Sequence, residues 1–183
     1  MADKNIVDLD IFKLMLDVIT DATNVNTMAN QLTQIIVGAL GIMGATIFVL
    51  NTELEELEIL ASAGLGIDYI NKGPILVDKS IKLASNREPV IISDVTASDR
   101  LQYPEKAKEE GIMAIVSLPI TLRGKIVGAL RLYHSEVWNI SEADVDDLQV
   151  LAQNIGIALM YFRLAAAVQA VKETVNDIHP IWL

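Results

Sequence analysis

The chain has 183 residues, a formal net charge of −10 and no cysteine. That length suits one domain with long terminal elements and a real core, and a hydrophobic content of 52% excludes disorder. The negative charge argues against nucleic acid or an anionic membrane surface as partner, and the missing thiols exclude disulfides, thiolate metal sites and thioether-anchored cofactors.

No basic segment precedes an apolar one at the start of the chain, and runs such as IMAIVSLPI are too short to span a bilayer. Both features predict a cytoplasmic protein. Residues 5–20 read as a helix with two apolar stripes, Val7, Ile11, Leu14 and Val18 on one and Leu9, Phe12, Leu16 and Ile19 on the other. A second helix is expected to start at Asn26 or Thr27 as N-cap, to turn Met28, Leu32, Ile35, Ile36 and Leu40 inward, and to end at Gly41. GATIFVLN and ELEILASAG then read as two strands joined closely enough to pair antiparallel.

Gly64, Gly66, Gly73 and Pro74 mark a loop, and a short helix is predicted around DKSIKLASNR. The strand EPVIIS opens with Pro89, which cannot donate to a ladder and so belongs at a sheet edge. A polar arm follows over residues 94–111, with a helical turn from Pro104 that Gly111 ends. Residues 112–120 and 125–134 form the last hairpin, with Arg123-Gly124 at its turn. Ser141 opens a long helix with Asp144 as a capping-box-like partner, and the helix runs to about residue 178, ahead of Pro180.

Five antiparallel strands with helices at both chain ends define an α+β sandwich. The outer hairpins are tight and the long connections lie between them, so the polar arm can fold over one face of the sheet. Loops carried on a rigid sheet are where ligands bind.

Three stretches read in order resemble the GAF domain, a small-molecule-sensing module of signalling proteins. They are GATIFVLNTELEELEILASAGL, REPVIISDVTASDRLQYPEKAKEEGIMAIVSLPI, and LRGKIVGALRLYHSEVWNISEADVDDLQVLAQNIGIALMYFRL. The resemblance implies a PAS-related antiparallel sheet of five to six strands, terminal helices on one face and the arm over the other. It divides the chain into an N-terminal dimerisation helix (1–22), the domain proper (23–168), an exit helix (141–178) and a tail (179–183). Bilin-carrying members and those that reduce free methionine sulfoxide need cysteines, which this chain lacks. Members that bind cyclic nucleotides carry an Asn-Lys, a phenylalanine and an Asp-Glu pair; only Asn71-Lys72 has a counterpart here.

With two histidines and no cysteine, neither a structural zinc site nor any resident cofactor is expected, and His134 reads as a polar cap at a strand end rather than a haem ligand. Glu53, Glu55, Glu56 and Glu58 suit a solvated hairpin tip, and Asp144, Asp146 and Asp147 suit the positive end of a helix dipole. If the arm covers the sheet, Tyr69, Asp94, Arg100 and Tyr103 offer polar groups to a ligand, and Ser117 and Arg131 offer more from the last hairpin. Asp94 has an alternative role in the arm's own turn. Arg131, inside GALRLY, must point outward, pair, or bind something anionic.

The last helix carries two apolar faces. Leu148, Leu151, Ile155, Leu159, Phe162 and Ala166 can cover the sheet. Ile157, Tyr161, Leu164, Val168, Val171, Val175 and Ile178 recur at alternating spacings of four and three, and the same register places Asn154 at an a position. Such a seam predicts a homodimer. The expected function is a non-catalytic sensor that binds a small molecule and signals to an output domain or partner protein through its terminal helices. Two alternatives are a ligand-free dimerisation domain with a self-filled pocket, and an enzyme using carboxylate chemistry.

Overall fold

The computed structural model describes residues 7–76 and 88–178, so the short helix expected over DKSIKLASNR and the tail at 179–183 lie outside the described residues. Two helices open the chain, α1 (Leu9–Asp21) and α2 (Val25–Leu40). The Asp8 carboxylate accepts from the amides of Asp10 and Ile11 at 3.1 and 2.9 Å and so caps α1. On α1 neither predicted stripe alone faces inward. Met15, between them, is fully buried, with Ile11, Phe12, Val18 and Ile19 packed around it, while Leu9 and Leu14 are exposed. The cap of α2 is Asn24 rather than Asn26 or Thr27: its side chain accepts from the Thr27 amide at 2.9 Å. Starting there brings Val25 into the helix, where it packs against the core. Gly41 ends α2 in the left-handed region at φ +63°.

Strands β1 (Gly44–Asn51) and β2 (Glu56–Ala63) form the first hairpin. The following segment, predicted as loop, holds one helical turn, α3 (Ile67–Ile70), and a two-residue strand, β3 (Ile75–Leu76). Neither is long enough to display a hydrophobic period. The edge strand β4 (Val90–Ile92), a 3-10 turn (Val95–Ala97) and α4 (Pro104–Glu110) come next, then the hairpin of β5 (Ala114–Leu122) and β6 (Lys125–His134). Helix α5 (Glu142–Ile178) closes the fold. The Ser141 hydroxyl accepts from the Asp144 amide and donates to the Asp144 carboxylate at 2.6 Å, which closes the predicted cap.

The six strands form one antiparallel sheet in the order β3-β2-β1-β6-β5-β4, so the strand preceded by Pro89 does lie at an edge. Both faces are covered. On one, Met15, Met28, Leu32 and Ile36 of the first two helices and Leu148, Leu151 and Ile155 of α5 meet Ile47, Val116, Leu118, Leu130 and Leu132. On the other, Tyr69, Ala107 and Ile112 of the arm and its neighbours meet Phe48, Ile92, Ile115 and Tyr133. Coverage on both sides is why residues 114–120, apolar at every position but Ser117, do not alternate.

Helix α5 spans about 55 Å at 1.5 Å per residue. By length and composition alone, Glu142–Thr174 could cross a membrane, with a mean hydropathy of 1.4. An expectation built on unbroken apolar runs overlooks this helix, whose polar residues are dispersed. Its opening turns are nevertheless core, because Leu148, Leu151, Ala152 and Ile155 are fully buried under the sheet.

Two glycines give a contrasting pair of tests. A Cβ at Gly128 would sit 2.2 Å from the Phe48 carbonyl oxygen, whereas at Gly38, inside α2, it would meet nothing within 4 Å. Gly38→Ala should stabilise the fold by about 0.5–1 kcal/mol. Gly128→Ala should destabilise it by more than about 2 kcal/mol, since backbone must move. Urea midpoints measure both, and equal shifts would contradict the packing described.

Candidate functional site

The site is built outward from Arg131, in the centre of the sheet. Ser117 on β5 and Thr46 on β1 are its direct cross-strand neighbours, so all three side chains share the face under the arm. Arg131 is only 4% exposed. It does not point outward into solvent, the simplest reading of a strand arginine. Its guanidinium carbon lies 5.1 Å from the centre of the Phe48 ring, a cation–π arrangement. The Thr46 and Ser62 hydroxyls pair at 2.9 Å beside it, and Ser117 is fully buried.

The roof comes from three segments. Helix α3 carries Tyr69, which stands edge-on against Tyr133 with ring centres 5.7 Å apart. One turn on, the Lys72 ammonium lies 3.8 Å above the Tyr69 ring and donates to the Tyr69 carbonyl at 2.9 Å. The strap before α4 supplies Gln102 and Tyr103. The Tyr103 hydroxyl donates to the Pro74 carbonyl at 2.7 Å, and Gln102 donates to the same carbonyl while accepting from the Leu76 amide. Gln102 thus continues the hydrogen bonding of β3 and latches the strap to the sheet edge. A second latch joins Glu110 at the end of α4 to the Gly66 amide that opens α3.

Lys72, Arg131, Tyr69, Tyr103 and Gln102 surround a cavity of about 20 Å³, walled by Ile75, Leu101 and Ile115. That is room for about one water molecule. Burial, then the Arg131 charge, lower the Lys72 ammonium from its ordinary 10.5 to about 8, and Glu110 opposes them. Burial pushes the Tyr69 phenol well above its usual range, with Tyr133 adding to the effect and Arg131 opposing it. Tyr133 is raised by burial as well, so both phenols are neutral hydrogen-bonding groups at ordinary pH. Two cations therefore face one small compartment.

Of the six candidate ligand-binding residues, Tyr69, Tyr103 and Arg131 line this cavity, and Ser117 stands beside Arg131 on the same sheet face. Asp94 and Arg100 are not brought to it. Asp94 accepts from the amide and hydroxyl of Thr96 at 2.8 and 2.6 Å, bonds that cap the 3-10 turn and hold its carboxyl below the usual range. Arg100 is exposed, and its amide donates to the Ser98 hydroxyl. Sequence reasoning named Lys72 only as part of the Asn71-Lys72 pair, not as a candidate site residue, and missed Gln102. The available signal was their place in the chain: Lys72 precedes Gly73-Pro74 in a compact turn, and Gln102 adjoins Tyr103. His134 sits at the strand end, accepting from the Glu136 amide and lying 5.4 Å from the Trp138 ring.

On α5, Ile157, Tyr161, Leu164, Val168 and Val171 are each more than half exposed, while Asn154 is partly buried and donates to the Val150 carbonyl. Val175 and Ile178 continue the register in α5, and their side chains lie outside the described residues.

This chain belongs to the GAF domain family, whose model matches residues 24–159. The family is generally one of regulatory and sensory modules. The fold is similar to that of the GAF domain from a Coxiella burnetii phosphoenolpyruvate-protein phosphotransferase (18% identity, 89% of this chain and 97% of that one, TM-score 0.78). It is also similar to free methionine-R-sulfoxide reductase from Neisseria meningitidis in complex with its substrate (16% identity, 90% and 95%, TM-score 0.76). A third similar structure is a far-red absorbing protein with bound biliverdin (14% identity, 84% and 99%, TM-score 0.64). No functionally curated protein matches the chain.

The Lys72 environment fixes the sign of a pH effect. Its folded-state pKa lies below the unfolded one, so the unfolded chain holds more protons between about pH 8 and 10.5, and this group makes stability rise with pH across that window. Lys72→Met should flatten the rise in urea-denaturation free energy over the same range. Parallel curves for variant and parent would place Lys72 in an ordinary solvated environment.

Proposed function

We propose that the chain is a non-catalytic sensor module that binds a small anion beneath the arm and relays occupancy through a dimer of its terminal helices. The observation that carries this reading is the convergence of Lys72 and Arg131 on one cavity, with hydrogen-bonding groups from Tyr69, Tyr103 and Gln102 around them. Like charges in a poorly solvated compartment repel, and a carboxylate or phosphate between them relieves that repulsion while accepting charge-assisted hydrogen bonds. Arginine suits the task because its planar fork can engage two oxygens at once.

The cavity volume of about 20 Å³ is too small for such a ligand with the strap in place. Binding therefore involves release of Gln102 and Tyr103 from Pro74 and Leu76, a change that can be passed on. The same small volume favours a second reading, a module that dimerises with its pocket filled by its own side chains. The exposed apolar seam on α5 supports a homodimer under either reading, because a row of five exposed large side chains on a projecting helix is poorly stable in water. Parallel pairing would also bring in α1, whose exposed Leu9 and Leu14 supply further apolar surface. A partner protein or output domain would then read the arrangement of the paired helices.

Thermal unfolding in a panel of acetate, lactate, succinate, phosphate and sulfate tests the anion reading. One anion at a hundred times its Kd should stabilise the protein by about 2.7 kcal/mol, and Lys72→Met should weaken the effect. Affinity should fall as pH rises through about 8, where Lys72 loses its proton in the presence of Arg131, Glu110, Tyr69 and Tyr103. No stabilisation by any of the panel favours the self-filled pocket. For the dimer, Leu164→Glu combined with Val168→Glu should yield folded monomers in analytical ultracentrifugation, and a parent protein that is monomeric at tens of micromolar contradicts pairing through α5.

A further inference from the structure

An opening larger than the cavity under the arm lies on the opposite face of the sheet, where α5 leaves it. Gly156 marks a close approach of the helix to the sheet: a Cβ there would lie 3.0 Å from Ile120 Cγ2 and 3.2 Å from the Thr121 carbonyl oxygen. Past Ala158, which is still buried, the inward residues of α5 lose their cover. Ile155 is fully buried, Leu159 and Phe162 only partly, and Ala166 is exposed. A groove of about 410 Å³ opens there between Leu159 and Phe162 on the helix and Val49, Leu122 and Val127 at the end of the sheet. That volume lies in the range of small-molecule sites, unlike the cavity under the arm.

Among the described residues Arg163 is the one charged residue lining the groove, in a chain whose net charge is −10. The adjoining β5–β6 turn adds the exposed Arg123 and Lys125. An apolar trough with a cation among its lining residues matches an amphipathic anion: an alkyl chain along the trough and an acid head at the guanidinium. From Gly156 to Ala166 the helix advances about 15 Å, which suits a chain of medium length. The same end of the sheet carries the β1–β2 turn with Glu53 and Glu55, whose charge opposes an extended anionic surface and favours a single free molecule.

We propose that the groove between α5 and the end of the sheet binds a free medium-chain carboxylic acid, with Arg163 holding its carboxylate. The groove is opposite the exposed seam of Ile157, Tyr161 and Leu164, so helix pairing leaves it open. Because it lies where α5 departs from the sheet, its occupant would bear directly on the angle of that helix. This site is independent of the anion cavity under the arm, and its test does not depend on that cavity.

Isothermal titration of the full chain with hexanoate, octanoate and decanoate, each below its micelle concentration, provides the test. Affinity should increase roughly fourfold per methylene until the groove is filled. Arg163→Glu, an exposed change that spares the core, should weaken decanoate binding tenfold or more while leaving 1-decanol binding unchanged. No saturable decanoate binding overturns the proposal, as does decanoate binding indifferent to Arg163→Glu. Two further outcomes also overturn it by assigning the groove to another occupant: conversion of the ligand-free protein from dimer to monomer by Arg163→Glu, and retention of the parent protein on phosphatidylglycerol vesicles that Arg163→Glu abolishes.

Discussion

Arg131 stands in the middle of a six-stranded sheet with its guanidinium turned away from solvent, and much of the rest follows from keeping it there. A charge removed from water needs compensation nearby. The Phe48 ring and the small hydroxyl residues Thr46, Ser62 and Ser117 make up its surroundings on the sheet. Above it the chain builds a roof that needs its own latches. Tyr103 and Gln102 hold the strap to β3, and Glu110 holds α4 to the start of α3. Lys72, added to the same compartment, is held in its neutral form more readily than an exposed lysine.

The two faces of the sheet do different work. The face under α1, α2 and α5 is a largely apolar core with Met15, Met28, Leu32 and Leu148 fully buried. The face under the arm has a smaller core interrupted by charge and hydroxyls, closed by a segment held through side-chain hydrogen bonds to backbone carbonyls and amides. Such contacts are individually modest, so a segment held by them opens at lower free energy than a packed helix. A stable scaffold under a lightly latched cover is a physical basis for sensing.

Much of this was legible in the sequence. The strands GATIFVLN and KIVGALRLYH, the edge position after Pro89, the cap at Ser141 and the left-handed turn at Gly111 all follow from local chemistry. The missed elements, α3 and β3, are four and two residues long and are defined by what they pack against. Asn24 was passed over as a cap because Asn26 and Thr27 offer the same chemistry, and only tertiary packing of Val25 decides among them. In the site, Tyr69, Tyr103 and Arg131 could be named from residue type, but Lys72 enters only through the turn after α3. Asp94 illustrates the converse: its carboxylate is taken up by Thr96, two residues along.

The most direct test of the account is the titration of the Lys72 side chain itself, followed by NMR of protein carrying isotope-labelled lysine and assigned with Lys72→Met. The midpoint should lie near 8 in the free protein, set by burial and the Arg131 charge. It should rise when a stabilising anion saturates the cavity. A midpoint at the ordinary lysine value of 10.5, unmoved by any anion, would contradict the claim that two cations share the compartment under the arm.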